Sequence, residues 1–356
     1  MKILFIGAGG DRSEITLCRH LAGQSDIDLH VACESPSPLQ RSLAETGTPL
    51  TSLSFRSRID LGALRTIRAK LEETDFDIVH AVTNRALSNS LLAARGSRVK
   101  HVAYRGTSGH LSRIDPASWL TYLNPRVDRI ICVSNAVRAY LLSMGIPAER
   151  LTTIYKGHDV GWYNHAHAKL PAELGIPDDA FTVCFVGNMR PVKGVDVLIG
   201  AAARLASPHN VHILLVGEVR DRRIRHRISR GDVPGFVHFV GFREDACSLA
   251  GACAAFVMPS VAREGLPRAV IEAMAQGVPP IVSDVGGMPE LVVNGKCGIV
   301  VPPRNADALA GAIAMLRSNA AERDRMGLAA KQRIRTDFNI NTTIERTISL
   351  YRELTT

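Results

Sequence analysis

Residues 263–289 read REGLPRAVIEAMAQGVPPIVSDVGGMP, and this stretch decides how the rest of the chain is interpreted. Its apolar residues, among them Val270 and Met274, recur at the spacing of one face of an α-helix. Gly277 follows the last of them, where a helix commonly ends in a left-handed residue. The pattern therefore predicts a short helix over residues 267–276.

Two glutamates frame the start of this predicted helix: Glu264 precedes it, and Glu272 lies inside it. The turn from Glu264 to Pro267 presents backbone N–H groups at the positive end of the helix dipole, which is a common binding site for phosphate. A carboxylate is a poor phosphate ligand, but it accepts hydrogen bonds from the two hydroxyls of a ribose. A nucleoside diphosphate fits both features. In the alternative interpretation, Glu264 only caps the helix and Glu272 lies on a solvated face.

The same stretch closely resembles the E-x7-E signature of the family 4 glycosyltransferases, which have the two-domain GT-B architecture. The resemblance implies that Glu264 contacts the sugar of a nucleoside-diphosphate donor and takes part in catalysis. The backbone of Gly265, Leu266 and Pro267 would hold the diphosphate. Glu272 would bind the ribose. The family also implies that the sugar is transferred with retention of its anomeric configuration.

A second candidate turn, GNMRPVKG at residues 187–194, joins a predicted strand to the next helix. Gly187 permits a close turn, and Arg190 and Lys193 bring two cations to the end of the strand. A nucleoside diphosphate gains negative charge as it leaves the sugar, and fixed cations stabilise that charge. The turn resembles the diphosphate-binding segment of the family, which implies catalytic roles for Arg190 and Lys193. An isolated R-x-x-K pattern, by contrast, is more often surface charge.

Further donor contacts follow from the same resemblance. Gly241 and Phe242 would lie near the nucleotide base, and residues 283–290 would form a loop that closes the donor pocket. No D-x-D pair stands near the cationic turn. We therefore expect no metal and no cofactor, with the sugar donor bound as a substrate.

Short β-rich runs alternate with helical patterns from the first residue, which is the rhythm of a doubly wound parallel sheet. This alternation stops at residues 159–168, which are polar and show no periodicity, and then it begins again. The last 52 or so residues show only the apolar periodicity of helices. The predicted strands are 1–7, 27–33, 50–53, 78–81, 99–104, 129–133 and 151–154, followed by 181–186, 211–216, 237–240, 255–258, 280–283 and 298–301.

The expected fold class is therefore α/β in the GT-B arrangement, with two Rossmann-like, doubly wound domains facing a central cleft. A chain of 356 residues is also long for a single core. Residues 1–165 would form the acceptor-side domain, and residues 166–338 would bind the nucleotide sugar. By resemblance to the family, a final helix within residues 339–356 would return to pack on the first domain.

The first loop of the chain contains Gly9 and Gly10. The resemblance brings the backbone of this loop near the donor phosphates and the acceptor. The loop also matches part of a dinucleotide-binding fingerprint, but Arg12 stands where the third glycine is needed. A nicotinamide cofactor is therefore not expected.

Three further acceptor-side candidates lie at strand ends of the first domain. His80 ends the fourth predicted strand and matches a family histidine near the cleft. Family members often carry another histidine after the fifth strand. Here Arg105 occupies about that place and His110 lies five residues further on, so either could face the sugar. A further departure from the family is Lys156, which precedes a glycine where an asparagine is usual.

The formal net charge is +9, and basic residues are dense in residues 56–70 and 220–230. These segments are either solvated helix faces or surfaces that attract the headgroups of an anionic membrane. A nucleic-acid partner is not expected, because no aromatic residues interleave with the arginines of residues 220–230 to stack on bases.

Composition also bears on location. The longest apolar run, residues 249–258, is far shorter than the ~20 residues of a membrane span. The first residues begin a strand directly, without a signal-peptide cleavage pattern. The seven cysteines are scattered and form no C-x-x-C pair, which is typical of reduced thiols without zinc. We expect a cytoplasmic protein, at the inner face of the membrane if the acceptor is lipid-linked.

These features predict a hexosyltransferase that moves a sugar from a nucleoside-diphosphate donor to a hydroxyl acceptor. The acceptor could be a glycolipid, a lipopolysaccharide or polysaccharide of the cell envelope, or a small glycoside. Two alternatives remain open: a nucleotide-sugar epimerase on a similar scaffold, and a nucleotide-binding protein without catalytic activity. The donor base, the sugar and the acceptor do not follow from the sequence.

Overall fold

The chain divides into two compact units. The first comprises Met1–Gly157 and Ile340–Thr356, and the second comprises His158–Asn339. The predicted domain boundary between residues 165 and 166 lies outside the residues that the structure describes. This computed structural model describes residues 1–7, 9–163, 170, 172–205 and 210–356.

The first unit contains a parallel sheet, whose described strands follow the expected rhythm closely. They are β1 (Lys2–Ile6), β2 (Asp28–Cys33), β3 (Leu50–Ser52), β4 (Ile78–Ala81), β5 (Lys100–Arg105), β6 (Arg129–Cys132) and β7 (Leu151–Thr153). Their order across the sheet is β3-β2-β1-β4-β5-β6-β7. The chain therefore starts in the middle and winds outward in both directions, as in a Rossmann domain.

Polar side chains cap the helices that connect these strands. Asp11, Ser37, Asp60, Thr83 and Ser134 each accept hydrogen bonds from first-turn amides, which satisfies donors that a helix start leaves unpaired. The helices are α1 (Arg12–Ala22), α2 (Pro38–Leu43), α3 (Leu61–Glu73), α4 (Asn84–Ala93), α5 (Pro116–Trp119) and α6 (Asn135–Ser143), with a 3₁₀ turn at Ala148–Arg150.

The last helix of the chain, α14 (Ile340–Thr355), belongs to the first unit, as expected. Its Tyr351 is fully buried, and the tyrosine hydroxyl lies 2.5 Å from Nδ1 of His80. On its exposed side, Arg352 forms an ion pair with Asp26 at 2.9 Å. The carboxyl-terminal residues therefore complete the core of the amino-terminal unit.

The second unit repeats the same topology. Its described strands are β8 (Phe181–Val186), β9 (Val211–Val216), β10 (Val237–Gly241), β11 (Ala255–Met258), β12 (Pro280–Ser283) and β13 (Ile299–Val301). Their order is β10-β9-β8-β11-β12-β13, and all pairs are parallel. The helices are α7 (Val195–Ala202), α8 (Arg222–Ser229), α9 (Ala246–Gly251), α10 (Arg268–Ala275), α11 (Met288–Leu291), α12 (Ala306–Ser318) and α13 (Ala320–Asp337), with 3₁₀ turns at Val160–Tyr163, Ala172–Leu174 and Pro191–Lys193.

Two sequence expectations concern membrane spans and thiols. Among the described residues, we find no helix with the length and hydrophobicity that a membrane span requires. The seven cysteines are free thiols, and six of them are buried. Within the described ranges, no three His, Cys, Asp or Glu side chains converge as a metal site would require.

Gly194 joins the 3₁₀ turn of residues 191–193 to α7 and has φ +65°. A Cβ atom at this position would lie 2.0 Å from the carbonyl oxygen of Pro259, just beyond β11. Only glycine therefore allows the turn after β8 to approach the segment after β11 so closely.

We predict that Gly194→Ala destabilises the second unit by at least about 2 kcal/mol, since alanine is strained at this φ and collides with backbone. Gly311→Ala is the matched control, because Gly311 lies on an exposed face of α12 with open space around it. There the same change should raise stability by about 0.5–1 kcal/mol. Urea unfolding measures both variants, and equal effects would contradict the prediction.

Candidate active site

The cationic turn follows β8 and is held by backbone contacts with its neighbours. The amide of Met189 donates to Glu218 O at 2.8 Å, and the amide of Val261 donates to Val192 O at 2.9 Å. Arg190 is exposed and forms no ion pair with the described residues, whereas Lys193 is mostly buried. The turn therefore presents one cation to solvent and one to the segment after β11.

Glu264 is the anionic partner of that buried cation. Lys193 Nζ donates to Glu264 Oε1 at 2.7 Å, and Ser260 Oγ donates to the same oxygen at 2.6 Å. The side chains of Lys193 and Glu264 are only 17% and 9% exposed. Charges this far removed from water persist when they are paired and hydrogen-bonded. The structure thus brings together two predicted site residues that are 71 positions apart.

The backbone around Glu264 is constrained from both sides. Arg263 has φ +65°, an uncommon conformation for a residue with a side chain. A Cβ atom on Gly286 would lie 2.0 Å from the carbonyl oxygen of Glu264, so the loop after β12 approaches this backbone closely. Close packing of main chain on main chain therefore fixes the backbone at Glu264, and Lys193 and Ser260 hold its carboxylate.

Helix α10 begins four residues after Glu264, at Arg268. Its N-cap residue, Pro267, makes no side-chain hydrogen bond to the first turn. The amino end of this helix therefore has backbone N–H groups that its cap does not satisfy. Gly277 follows with φ +84°, as the left-handed ending predicted from the sequence requires.

Glu272 lies in the middle of α10, next to the buried face of that helix. Its side chain is 18% exposed, and Arg268 Nε lies 3.3 Å from Glu272 Oε1. The carboxylate is therefore neither solvated like a surface glutamate nor buried like Glu264. It lies on the same helix whose amino end follows Gly265 and Leu266.

The predicted base-binding loop follows β10. Gly241 has φ +77°, and its carbonyl accepts a hydrogen bond from Gly217 N at 2.7 Å. The side chain of Phe242 is 72% exposed, which is unusual for a large apolar residue. Arg243 is held by Asp245 at 2.7 Å, so the loop is anchored directly after the exposed ring.

The acceptor-side candidates belong to the first unit. Gly9 has φ +87°, its amide donates to Glu14 Oε1 at 3.2 Å, and Gly10 is exposed. His80 is buried on β4, and burial lowers its pKa to about 3, so the ring is neutral at physiological pH. His110 has φ +63° in the loop after β5.

Arg105, the remaining acceptor-side candidate, is 4% exposed. Its guanidinium donates to the carbonyl oxygens of Thr107, at 2.8 Å, and of Gly109, and it lies over the ring of Tyr122. In this structure Arg105 therefore shapes the loop after β5. An acceptor role for any of the five candidates stays a prediction.

Two contacts at these sites were not foreseen from the sequence. Ser260 had no signal beyond its position after a strand, yet it donates to Glu264. Lys156 departs from the family pattern, and its Nζ lies 2.8 Å from Asp11, the N-cap residue of α1. The first contact is local, within the segment after β11, whereas the second joins residues that are distant in sequence.

Two family models match the chain. Residues 8–162 match the model described as Glycosyltransferase Family 4, and residues 167–333 match the model described as Glycosyl transferases group 1. The two matches cover both units in the order in which the chain forms them.

Several characterised proteins are similar to this chain. It is 29% identical over 273 residues to a phosphatidyl-myo-inositol mannosyltransferase of Mycolicibacterium smegmatis, with 74% of this chain and 68% of the relative aligned. It is 31% identical over 219 residues to a D-inositol 3-phosphate glycosyltransferase of Corynebacterium glutamicum, with 58% and 52% aligned. The chain thus spans between half and just over two thirds of the length of these relatives.

Among solved structures, HepE of Anabaena in complex with UDP-glucose superposes with a TM-score of 0.78 at 25% identity, over 98% of this chain and 99% of that one. Sucrose-phosphate synthase from Thermosynechococcus elongatus superposes with a TM-score of 0.80 at 20% identity, over 99% of both chains. Together with the two doubly wound sheets, these likenesses define the class as GT-B. The chain belongs to the family 4 glycosyltransferases of that class.

We predict that the Lys193–Glu264 pair is strongly coupled. Lys193→Met and Glu264→Gln should each destabilise the protein, and the double variant should recover about 1–3 kcal/mol relative to the sum of the two changes, because neither charge is then left alone in the interior. A double-mutant cycle by urea unfolding measures this energy.

The exposed pair Arg68–Glu72 on α3 provides the control for that cycle. Its coupling should stay below about 0.5 kcal/mol, since both side chains are solvated. A coupling between Lys193 and Glu264 as small as that of the control would show that the buried pair does not organise the site.

Proposed function

We propose that this protein transfers a hexose from a nucleoside-diphosphate sugar to a hydroxyl acceptor, with retention of anomeric configuration. The observation that carries the proposal is the meeting of Lys193 and Glu264 just before the amino end of α10, with Glu272 inside that helix. This arrangement supplies a cation, a carboxylate and helix amides from two neighbouring segments, which suits a sugar diphosphate.

The diphosphate is the part of the donor whose charge changes during transfer. As the bond between the anomeric carbon and the phosphate oxygen breaks, negative charge develops on the leaving group. Arg190 and Lys193, together with the amides near Gly265 and Leu266, would stabilise this charge where it appears. In this proposal these fixed groups take the place that a divalent metal has in other enzymes.

The two carboxylates would hold the sugars on either side of the diphosphate. Glu264 is oriented by Lys193 and Ser260 and would contact the donor hexose. Glu272 would accept hydrogen bonds from the ribose hydroxyls, and the exposed ring of Phe242 would lie near the base. The carboxylates would thereby position the anomeric carbon relative to the cations.

The acceptor class in the proposal is a hydroxyl on a glycolipid, a cell-envelope saccharide or a small glycoside. The names of similar proteins support this range, since they include a phosphatidyl-myo-inositol mannosyltransferase and a D-inositol 3-phosphate glycosyltransferase. The proposed location is the cytoplasm, with peripheral contact to anionic lipid. Exposed Arg56 and Arg58 next to exposed Ile59 and Leu61 would suit such a contact.

We predict that Arg190→Ala lowers kcat by about 10²–10³-fold, because it removes a cation from the charge that develops in the transition state. The double variant with Lys193→Ala should abolish measurable turnover. Arg225→Ala, which removes an exposed arginine from α8, is the control and should leave kcat unchanged. Release of nucleoside diphosphate measures turnover for each variant, and addition of EDTA should have no effect.

Parental turnover in the double variant would refute the assignment of the cations. Incubation with donor alone tests the epimerase alternative, since an epimerised sugar nucleotide would then form without acceptor. Retention is read from the anomeric configuration of the product by NMR.

We predict that Glu272→Ala weakens binding of the cognate nucleoside diphosphate by at least about 10-fold, which the loss of even one charge-assisted hydrogen bond would cause. Arg268→Ala is the matched control, since it breaks the ion pair between Arg268 and Glu272 but keeps the carboxylate. Calorimetric titration with UDP, GDP and ADP measures the affinities. An equal loss of nucleotide affinity in Glu272→Ala and Arg268→Ala would mean that Glu272 acts only by holding Arg268.

A further inference from the structure

A pocket of about 350 Å³ lies at the carboxyl edge of the sheet in the first unit. Its lining includes residues that follow four neighbouring strands: Gly7 after β1, Glu34 after β2, Leu53 after β3 and Thr83 after β4. The chain continues from β1 to one side of the sheet and from β4 to the other. In doubly wound sheets, ligands bind at the carboxyl edge where the winding reverses. The position and volume of this pocket are therefore those of a small-molecule site.

The charged residues of this lining are Glu34 and Arg85. Glu34 is exposed and forms no hydrogen bond or ion pair with the described residues. Arg85, in the first turn of α4, donates Nη1 to the carbonyl oxygen of Phe55 at 2.9 Å, and Phe55 is a lining residue too. The lining therefore combines an unpaired carboxylate, an anchored guanidinium that keeps further N–H groups for a ligand, and an aromatic residue.

The amino end of α1, next to this pocket, is not free to bind a phosphate. In dinucleotide-binding domains the phosphates lie on the amides at that end of the first helix. Here the carboxylate of Asp11 accepts hydrogen bonds from the amides of Ser13, at 3.0 Å, and Glu14, at 3.4 Å. A second carboxylate, that of Glu14, lies so close to Gly7 that a Cβ atom there would be 2.3 Å from its Oε1. The local charge therefore disfavours an anionic ligand.

A carboxylate directly after the second strand suits two neighbouring hydroxyl groups. In dinucleotide-binding domains an acidic residue after this strand binds the ribose hydroxyls, because its two oxygens accept hydrogen bonds from both. Glu34 has this place in the first unit, since β2 ends at Cys33. The first unit therefore has the part of such a site that binds a diol, whereas Asp11 occupies the part that would bind phosphate.

We propose that this pocket binds the acceptor, and that the acceptor presents to it an uncharged polyol ring, a sugar or a cyclitol, with two neighbouring hydroxyls on Glu34. Arg85 donates to a further ring oxygen, and Phe55 packs on the apolar C–H face of the ring. The inference rests on the proposed function, which supplies a hydroxyl acceptor. It adds the chemical class of the ring that is bound and the residue that selects it.

Three neutral rings serve as probes: myo-inositol, methyl α-D-mannopyranoside and methyl α-D-glucopyranoside. In NMR titrations of the full-length protein, at least one of them should shift the amide signal of Glu34 and the Nε–H signal of Arg85. Glu34→Gln should weaken this binding by at least about 10-fold, because it replaces a charged acceptor of hydrogen bonds by a neutral one. Glu45→Gln, the same change at an exposed glutamate outside the pocket, is the control and should have no effect.

Myo-inositol 1-phosphate tests the exclusion of anions and should bind no more tightly than myo-inositol. Tighter binding of the phosphate, or binding of the neutral rings that Glu34→Gln leaves unchanged, would overturn the proposal. So would the failure of all three neutral rings to bind the unmodified protein. Calorimetric titration with UDP, GDP and ADP separates this result from a failure of the proposed function, because the nucleotide is assigned to the second unit and its affinity should be the same in Glu34→Gln.

Discussion

The ion pair between Lys193 and Glu264 is the interaction on which the candidate active site depends. Each charge is nearly removed from water and would be costly alone, so the two turns that carry them have to stay together. These turns follow β8 and β11, which are neighbours in the sheet. The close approach of Gly194 to Pro259 holds the same two segments by main-chain contact. The ion pair and the close backbone contact therefore hold the same two turns together.

The first unit has the same central strand order, but its core is completed by the last helix of the chain. The buried contact between Tyr351 and His80 joins residues that are 271 positions apart. The helix completes the core, and its Thr343 and Thr347 line a pocket that His80 also lines. A residue that sequence comparison would place on the acceptor side is thus also part of the packing between sheet and helix.

Much of the fold could be predicted from the sequence. Strands such as β8, β9, β11 and β12 begin and end at the predicted residues, because a parallel sheet buries both faces and leaves a continuous apolar run. Predicted limits differ by a residue or so for strands with exposed ends, such as β3. The sequence predicts the helix at the candidate active site over residues 267–276, and α10 occupies Arg268–Ala275 with its caps at the two outer positions.

The sequence by itself determined the α/β class, the repeated doubly wound topology and the position of the helix preceded by Glu264, because local periodicity and turn residues report on neighbours along the chain. Only the tertiary structure decided the partners of the site residues. It paired Glu264 with Lys193, which follows a neighbouring strand, and His80 of β4 with Tyr351 of the last helix. Contacts across a sheet depend on which strands are adjacent and in what register, and no spacing within one segment encodes that.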